Sequence, residues 1–181
     1  MAHAHHHHHP EADHHASPEA ARLMRLAGYA SVGMASLLLI AKLIAWWKTD
    51  SLAMLSSLTD SAFDVLMSVV NMLALRYALK PADDDHAFGH TSIEDIAGLA
   101  QCAFIVASMT LILLQSFERL SNPHIALTSP ELGIGVSILG MVMTTALVAF
   151  QTVVARRSGS LIVAADRMHY LGDILFNLGV L

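Results

Sequence analysis

The chain has 181 residues, of which 55% are hydrophobic and 14% are charged, and its mean hydropathy is +0.54. A soluble domain carries about one quarter charged residues. Here the charges are also clustered, which excludes an ordinary soluble domain and predicts an all-α, polytopic helix bundle in a lipid bilayer. The formal net charge is −5 and the sequence shows no basic patch, so we expect no nucleic-acid partner.

The N-terminal arm, residues 1–22, is polar and rich in histidine. Eight of the twelve histidines fall in the first fifteen positions. Such a run is compatible with an expression tag or with a natural metal-gathering arm, and the sequence does not decide between them. In either case we expect the arm to be disordered and to lie outside the fold.

The remainder of the chain, residues 23–181, predicts a transmembrane domain of five helices. Each apolar run is long enough to cross a hydrocarbon core about 30 Å thick. Trp46 and Trp47 are typical of a membrane interface, and the stem of Lys42, one turn further in, can snorkel to that interface. Arg156-Arg157-Ser158-Gly159 predicts a tight turn. The expected helices are 23–47, 52–79, 93–120, 130–155 and 160–181, with an acidic loop at 80–92.

Basic residues in the connections predict the orientation in the membrane. Six Lys and Arg residues fall on one side and two on the other, and the richer side is expected in the cytoplasm. The N-terminus is therefore expected in the cytoplasm, with helix 2 running inward and helix 5 running outward. The six residues are Arg22, Arg25, Arg76, Lys80, Arg156 and Arg157, and the two are Lys48 and Arg119.

Two of the predicted helices carry ionisable side chains at a spacing of one turn. Asp60 and Asp64 are four residues apart in helix 2, as are His169 and Asp173 in helix 5, so each pair points to one side of its helix. An Asp at the bilayer centre costs about 2.5–3.5 kcal/mol on insertion scales, so these side chains need partners or cations. Both pairs extend into polar stripes: Ser57, Asp60, Asp64, Ser68 and Asn71, and Asp166, His169, Asp173 and Asn177.

The two pairs are expected to meet near the midplane. At 1.5 Å per residue, Asp60 and Asp64 lie about 12 and 18 Å from the outer end of helix 2. His169 and Asp173 lie about 12 and 18 Å from the inner end of helix 5. In a core of about 30 Å, Asp60 therefore comes level with Asp173, and Asp64 with His169.

Three carboxylates and one imidazole supply the four ligands that a tetrahedral Zn²⁺ ion accepts. The imidazole favours Zn²⁺, Fe²⁺ or Cd²⁺ over Mg²⁺ or Mn²⁺, which suit oxygen ligands alone. Protons can replace the metal because its ligands must be deprotonated to bind it, which is a physical basis for metal–proton antiport. The alternative is a set of structural polar contacts between transmembrane helices.

The sequence resembles the cation diffusion facilitator family, close to its bacterial zinc/iron (cadmium) efflux branch. The resemblance spans about residues 23–181 and implies efflux of Zn²⁺, with Fe²⁺, Cd²⁺ or Co²⁺ as alternatives, in exchange for protons. It implies that the transport site consists of Asp60, Asp64, His169 and Asp173. The motifs that carry it are Asp60-x-x-x-Asp64, His169-x-x-x-Asp173 and Pro81-Ala82-Asp83-Asp84-Asp85-His86-Ala87-Phe88-Gly89-His90.

The resemblance implies further features. The family has a second metal site in the loop between helices 2 and 3, which corresponds to Asp83, His86 and His90 in this sequence. The alternative interpretation of these residues is a solvated acidic loop. The family implies a homodimer in the bacterial inner membrane, with six membrane helices and a cytoplasmic C-terminal domain. This sequence departs from the pattern at Ser92, where relatives often carry Lys.

Three functions remain open at this point. The leading one is a secondary active transporter, which is not an enzyme. The second is a truncated, non-transporting metal-binding fragment or partner subunit, because no sixth helix or C-terminal domain follows helix 5. The third is an intramembrane metalloenzyme in which Zn²⁺ activates water. A closed site with four protein ligands would exclude the enzyme, which needs an open position.

Overall fold

The computed structural model of the chain describes residues 17–50, 52–81, 90, 92–121 and 130–180. The described chain is α-helical apart from turns and caps, and it contains no strand, which confirms the predicted fold class. The helices are α1 (Pro18–Thr49), α2 (Leu52–Ala78), α3 (Ser92–Ser121), α4 (Pro130–Ser158) and α5 (Leu161–Val180). Within the described residues, α1 to α4 contain segments long and apolar enough to cross a membrane.

α5 differs from the other four helices in its charged residues. It has 20 residues, a length that matches a hydrocarbon core, but Asp166, Arg167 and Asp173 interrupt its apolar sequence. Two of its polar side chains turn into the bundle, since Asp166 is only 5% exposed and His169 only 6%, whereas Arg167 is partly exposed. The helix therefore carries these two polar groups on the side that faces the other helices.

α1 begins earlier than predicted. Its first residue is Pro18, so residues 18–22, which we assigned to the disordered arm, belong to the helix. Ser17 is the N-cap: its side-chain oxygen accepts a hydrogen bond from Ala20 N at 3.2 Å. Pro18 suits the first turn because its missing N–H has no helical partner there. Residues 1–16 lie outside the described part of the chain.

Two connections are defined by left-handed backbone conformations. Asp50 ends α1 with φ of 47°, and its N–H donates to the carbonyl of Trp46 at 2.8 Å. Gly159, between α4 and α5, has φ of 69°, which glycine adopts without a side-chain clash. The turn is shorter than predicted, because Arg156, Arg157 and Ser158 still belong to α4, and only Gly159 and Ser160 connect it to α5.

The helices pack as a ring in the order α1, α2, α3, α5, α4 and back to α1. α5 also contacts α1 and α2, so it touches all four other helices. Asp64 lies beside His169 and Asn71 beside Asp166, so α2 and α5 run in opposite directions, as predicted. At these two positions the predicted polar stripes face each other inside the bundle.

An apolar core fills one end of the bundle, which is the cytoplasmic end in the predicted orientation. α1 approaches α2 closely there, since a Cβ on Gly28 would lie 2.8 Å from the sulfur of Met72. Large apolar side chains elsewhere point outward, as expected for helices surrounded by lipid, and Leu99 is 73% exposed. The buried core residues are Met24, Ala27, Leu75, Ala97, Val154, Ile162 and Val163.

The start of α5 is tied to α3 by Glu94. Its carboxylate accepts hydrogen bonds from the hydroxyl of Ser160 and from the backbone N–H of Ile162, the latter at 3.4 Å. A carboxylate at a helix N-terminus satisfies a free amide group and interacts favourably with the helix dipole. This contact helps to set the position of α5, and with it the position of the polar side chains further along that helix.

Candidate metal centre

Three predicted ligands come together where α2 faces α5, and we call Asp64, His169 and Asp173 the three-donor cluster. One ligand atom from each residue lies within 4.8 Å of the other two. His169 Nε2 is 3.1 Å from Asp64 Oδ1 and 3.6 Å from Asp173 Oδ2. The adjacency of Asp64 and His169 agrees with the depth comparison made from the sequence.

The spacing of these atoms suits a single transition-metal ion. Zn²⁺ binds imidazole nitrogen and carboxylate oxygen at about 2.0–2.2 Å, which places neighbouring ligand atoms about 3.3 Å apart in a tetrahedron. The two distances measured from His169 Nε2, 3.1 and 3.6 Å, lie on either side of that value. The cluster therefore needs only small side-chain shifts to hold one ion.

The imidazole is more enclosed than the two carboxylates. The side chain of His169 is 7% exposed, whereas those of Asp64 and Asp173 are 24% and 32% exposed. The ring of Phe104 lies edge-on to the imidazole, with 5.5 Å between ring centroids. The histidine is thus held by its neighbours, while the carboxylates remain accessible to an incoming ion.

Asp60, the fourth predicted ligand, lies outside the three-donor cluster. It is one helical turn before Asp64 and is exposed. Among the described residues, the group with mutually close donor atoms contains Asp64, His169 and Asp173 without Asp60. The carboxylate of Asp60 instead interacts electrostatically with Lys42 on α1. The three-donor cluster therefore contains three of the four predicted ligands.

Lys42 is a site residue that sequence reasoning missed. Instead of snorkelling to the interface, its Nζ donates a hydrogen bond to the carbonyl of Ser57 on α2 at 3.2 Å. The half-buried ammonium interacts with the carboxylates of Asp64, Asp60 and Asp173. The available signal was a lysine inside an apolar run, because a charge at that depth usually has a specific partner.

A second polar layer lies one turn before the cluster on α5, centred on Asp166. Its Oδ2 accepts hydrogen bonds from Ser31 Oγ and Gln151 Nε2, both at 2.7 Å, and its Oδ1 accepts one from Asn71 Nδ2 at 3.0 Å. Asn71 Nδ2 also donates to Gln101 Oε1 at 3.0 Å. We call these five side chains the Asp166 network.

The Asp166 network takes one side chain from each of the five helices, and all five are buried. Its hydrogen bonds join the five helices, although Gln101 Nε2 and Gln151 Oε1 have no hydrogen-bond partner among the described residues. A further hydrogen bond of 2.8 Å joins the hydroxyls of Ser68 and Tyr170 between this layer and the three-donor cluster. Together these contacts fix α5 against the rest of the bundle.

Sequence reasoning identified only part of the Asp166 network. Asn71 and Asp166 belong to the predicted polar stripes, but we did not connect Ser31 or Gln151 with them. Polar residues inside the apolar runs of α1 and α4 were a weak signal, because such residues in membrane helices often face other helices but each run contains more than one. The side chain of Asn177, a further predicted stripe member, lies outside the described side chains.

The predicted loop site is described only at His90. This residue is buried, and its ring packs edge-on against Tyr77 with 4.5 Å between ring centroids. Asp83 and His86 lie outside the described residues, so the loop site stays a prediction.

Comparison with known proteins adds an independent line of argument. The family described as the cation efflux transmembrane domain matches residues 29–181. The cation-efflux pump FieF of Yersinia pestis (strain Pestoides F) is 40% identical over 164 residues, which cover 91% of this chain and 54% of the relative. Pumps of the same name from Yersinia pestis bv. Antiqua (strain Angola) and Yersinia pseudotuberculosis serotype O:3 (strain YPIII) match to the same extent. The chain spans about half the length of the curated relatives it matches.

The matched region begins within α1 and contains the whole three-donor cluster. The family consists of cation efflux proteins, which indicates a membrane transporter rather than a classical enzyme. On this match, and on the motifs that first suggested it, the chain belongs to the cation diffusion facilitator family.

Proposed function

We propose that this protein exports a divalent transition-metal ion in exchange for protons, by alternating access around Asp60, Asp64, His169 and Asp173. The observation that carries the proposal is the three-donor cluster, in which two carboxylates and an imidazole converge inside a bundle of membrane-spanning helices. Family membership supports efflux of a cation.

Zn²⁺ is the proposed substrate, with Fe²⁺, Cd²⁺ and Co²⁺ as alternatives. A mixed set of imidazole nitrogen and carboxylate oxygen favours these ions, whereas Mg²⁺ and Ca²⁺ prefer oxygen ligands alone. The spacing of 3.1–3.6 Å around His169 Nε2 supports bonds of the length that Zn²⁺ forms.

The proton is the proposed counter-ion because the ligand atoms bind either a metal or a proton. An imidazole nitrogen and a carboxylate must both be deprotonated to coordinate the ion, so metal binding releases protons and protonation releases the metal. The partial exposure of Asp64 and Asp173 supports access of either species to the cluster.

We propose that Asp60 becomes the fourth ligand when the ion is bound. Its position four residues before Asp64 places it on the same side of α2. The Asp166 network and Glu94 hold α5 at several points. A change in the Asp60 side chain, or a small displacement of α2, is therefore the simplest way to complete the site.

Location and assembly are also proposals. The distribution of basic residues supports a cytoplasmic N-terminus, and the bacterial relatives support an inner-membrane location. The resemblance supports a homodimer for the longer protein. It also supports a second metal site at Asp83, His86 and His90, on the side where metal would enter from the cytoplasm.

Two alternatives share the same cluster. A non-transporting metal-binding unit or partner subunit predicts metal binding without flux. An intramembrane metalloenzyme needs an open coordination position, and the three-donor cluster has one, so coordination alone does not argue against it. The family argues against the enzyme, because its members transport cations.

Zinc flux into proteoliposomes tests the proposal. The purified chain is reconstituted into vesicles that are acidic inside and contain a zinc indicator. Asp173→Asn is compared with Asp95→Asn, which alters an exposed carboxylate near the start of α3. We expect flux in the wild type and in Asp95→Asn, and none in Asp173→Asn. Equal flux in both variants would contradict the site assignment, and binding without flux in the wild type would select the non-transporting alternative.

A further inference from the structure

Lys42 brings a positive charge from α1 to the carboxylates of the metal centre. Its Nζ donates to the carbonyl of Ser57, which lies one turn before Asp60 on the polar stripe of α2. From there the ammonium interacts with Asp64, Asp60 and Asp173. The side chain is therefore directed into the bundle at the level of the site, where a charge is expensive unless it is compensated.

The charges of the loaded site sum to zero only when Lys42 is included. The three aspartates contribute −3 when ionised, a metal-binding histidine is neutral, a divalent ion contributes +2 and the ammonium contributes +1. Without the ammonium, the net charge would be −3 before the ion binds and −1 afterwards, instead of −2 and 0, so the ion would enter a more negative site. An uncompensated charge in a medium of low dielectric constant is strongly unfavourable.

We propose that Lys42 is a tethered counter-ion of the transport site, an inference that rests on the proposed transport function. Its ammonium balances the third carboxylate, so that one divalent ion makes the site electroneutral. It also repels the bound ion, which weakens ion binding and speeds release. Lys42 does not coordinate the metal; it acts through the carboxylates that do.

A purely structural role for Lys42 predicts a different result. The hydrogen bond to Ser57 joins α1 to α2, and its loss would loosen the helix pair, leaving metal affinity unchanged or lower. Loss of a counter-ion raises metal affinity, because a repulsive charge has been removed. The direction of the change in affinity therefore separates the two roles.

The test measures Zn²⁺ binding and flux in Lys42→Met, Lys42→Gln and Lys42→Arg. The full chain is used, and the eight arm histidines and the loop residues His86 and His90 are replaced by serine in every sample because they would bind zinc themselves. Lys48→Met is the matched control, since Lys48 is exposed near the end of the same helix. We expect both neutral variants to bind Zn²⁺ about tenfold more tightly, or tighter still, and to transport it more slowly. Lys48→Met should behave like the wild type, and Lys42→Arg, which keeps the positive charge, should stay closer to the wild type in zinc affinity than either neutral variant does.

Unchanged or weaker zinc affinity in the neutral variants overturns the inference. If Lys42→Met does not fold, as judged by size-exclusion chromatography, Lys42→Gln decides. If neither neutral variant folds while Lys42→Arg does, Lys42 is a structural residue and the inference is overturned as well. A wild-type chain that neither binds nor transports zinc contradicts the proposed function instead, so the two failures are distinguishable.

Discussion

His169 Nε2 lies 3.1 Å from Asp64 Oδ1, so α5 meets α2 at a point where each helix supplies a side chain able to bind a metal ion. The imidazole is buried and the carboxylate is partly accessible. Asp173, one turn after His169, adds a third donor at 3.6 Å. Because the three side chains differ in position, substitution of each aspartate should change zinc affinity by a different amount.

Asp64→Asn should abolish most zinc binding. The substitution keeps the size of the side chain but removes the charge and one strong ligand of the cluster. Changes to residues that merely support a ligand cost 10–100-fold in metal affinity, so loss of a ligand should cost at least about 100-fold. Isothermal titration measures this loss on the chain in which the arm histidines and the loop residues His86 and His90 are replaced by serine. Affinity within about threefold of the wild type would remove Asp64 from the site.

Asp60→Asn should weaken zinc binding less than Asp64→Asn does. Asp60 lies outside the three-donor cluster, so much of the binding free energy should survive its loss. We expect a decrease in affinity of about tenfold, with a larger decrease in flux if Asp60 joins during transport. Titration and proteoliposome flux on both variants give the comparison. Equal losses of affinity would show that the two carboxylates are equivalent ligands.

Zinc affinity should fall as the pH is lowered. The imidazole and the carboxylates must be free of protons to bind the ion, so acid competes with the metal. Titrations between about pH 7.5 and 5.5 should show weaker binding at the lower value. In buffers of different ionisation enthalpy, the apparent heat should change because protons are released. Affinity and heat that are independent of pH and buffer would argue against proton exchange at this site.

Asp166→Ala should destabilise the bundle. It leaves buried donors on Ser31, Asn71 and Gln151 without their carboxylate acceptor. Each buried unsatisfied group costs about 1–3 kcal/mol, so we expect a loss of at least about 2 kcal/mol in the free energy of unfolding. Thermal unfolding in detergent measures the change, with Asp95→Ala as an exposed control. Equal stability of the two variants would show that the Asp166 network does not hold the helices together.

Helical periodicity predicted much of the site, because the depth of each side chain depends only on its position along the helix axis. The spacing of the two pairs and the predicted opposite directions of α2 and α5 were enough to place Asp64 beside His169. Asp60 was expected in the same group, but its separation from the other donors depends on the rotation of α2 and on its own side chain. The pattern of polar residues along one helix does not determine either.

A lysine inside the apolar run of α1 indicated that it has a partner, but the sequence pattern of α1 did not identify which helix supplies that partner. Lys42 was assigned to the membrane interface because it lies one turn inside the paired tryptophans. Its contact with Ser57 depends on which face of α1 turns toward α2. The early start of α1 likewise depends on a local cap at Ser17, which outweighs the polar character of the first turn.

Zinc K-edge X-ray absorption tests the metal centre most directly. The sample is the chain loaded with one Zn²⁺, with the arm histidines and the loop residues His86 and His90 replaced by serine. The predicted spectrum shows about four oxygen or nitrogen ligands at about 2.0–2.2 Å, with the scattering of a single imidazole that disappears in His169→Gln. A sulfur ligand at about 2.3 Å, or an imidazole signal that persists in His169→Gln, would contradict the three-donor cluster as the binding site.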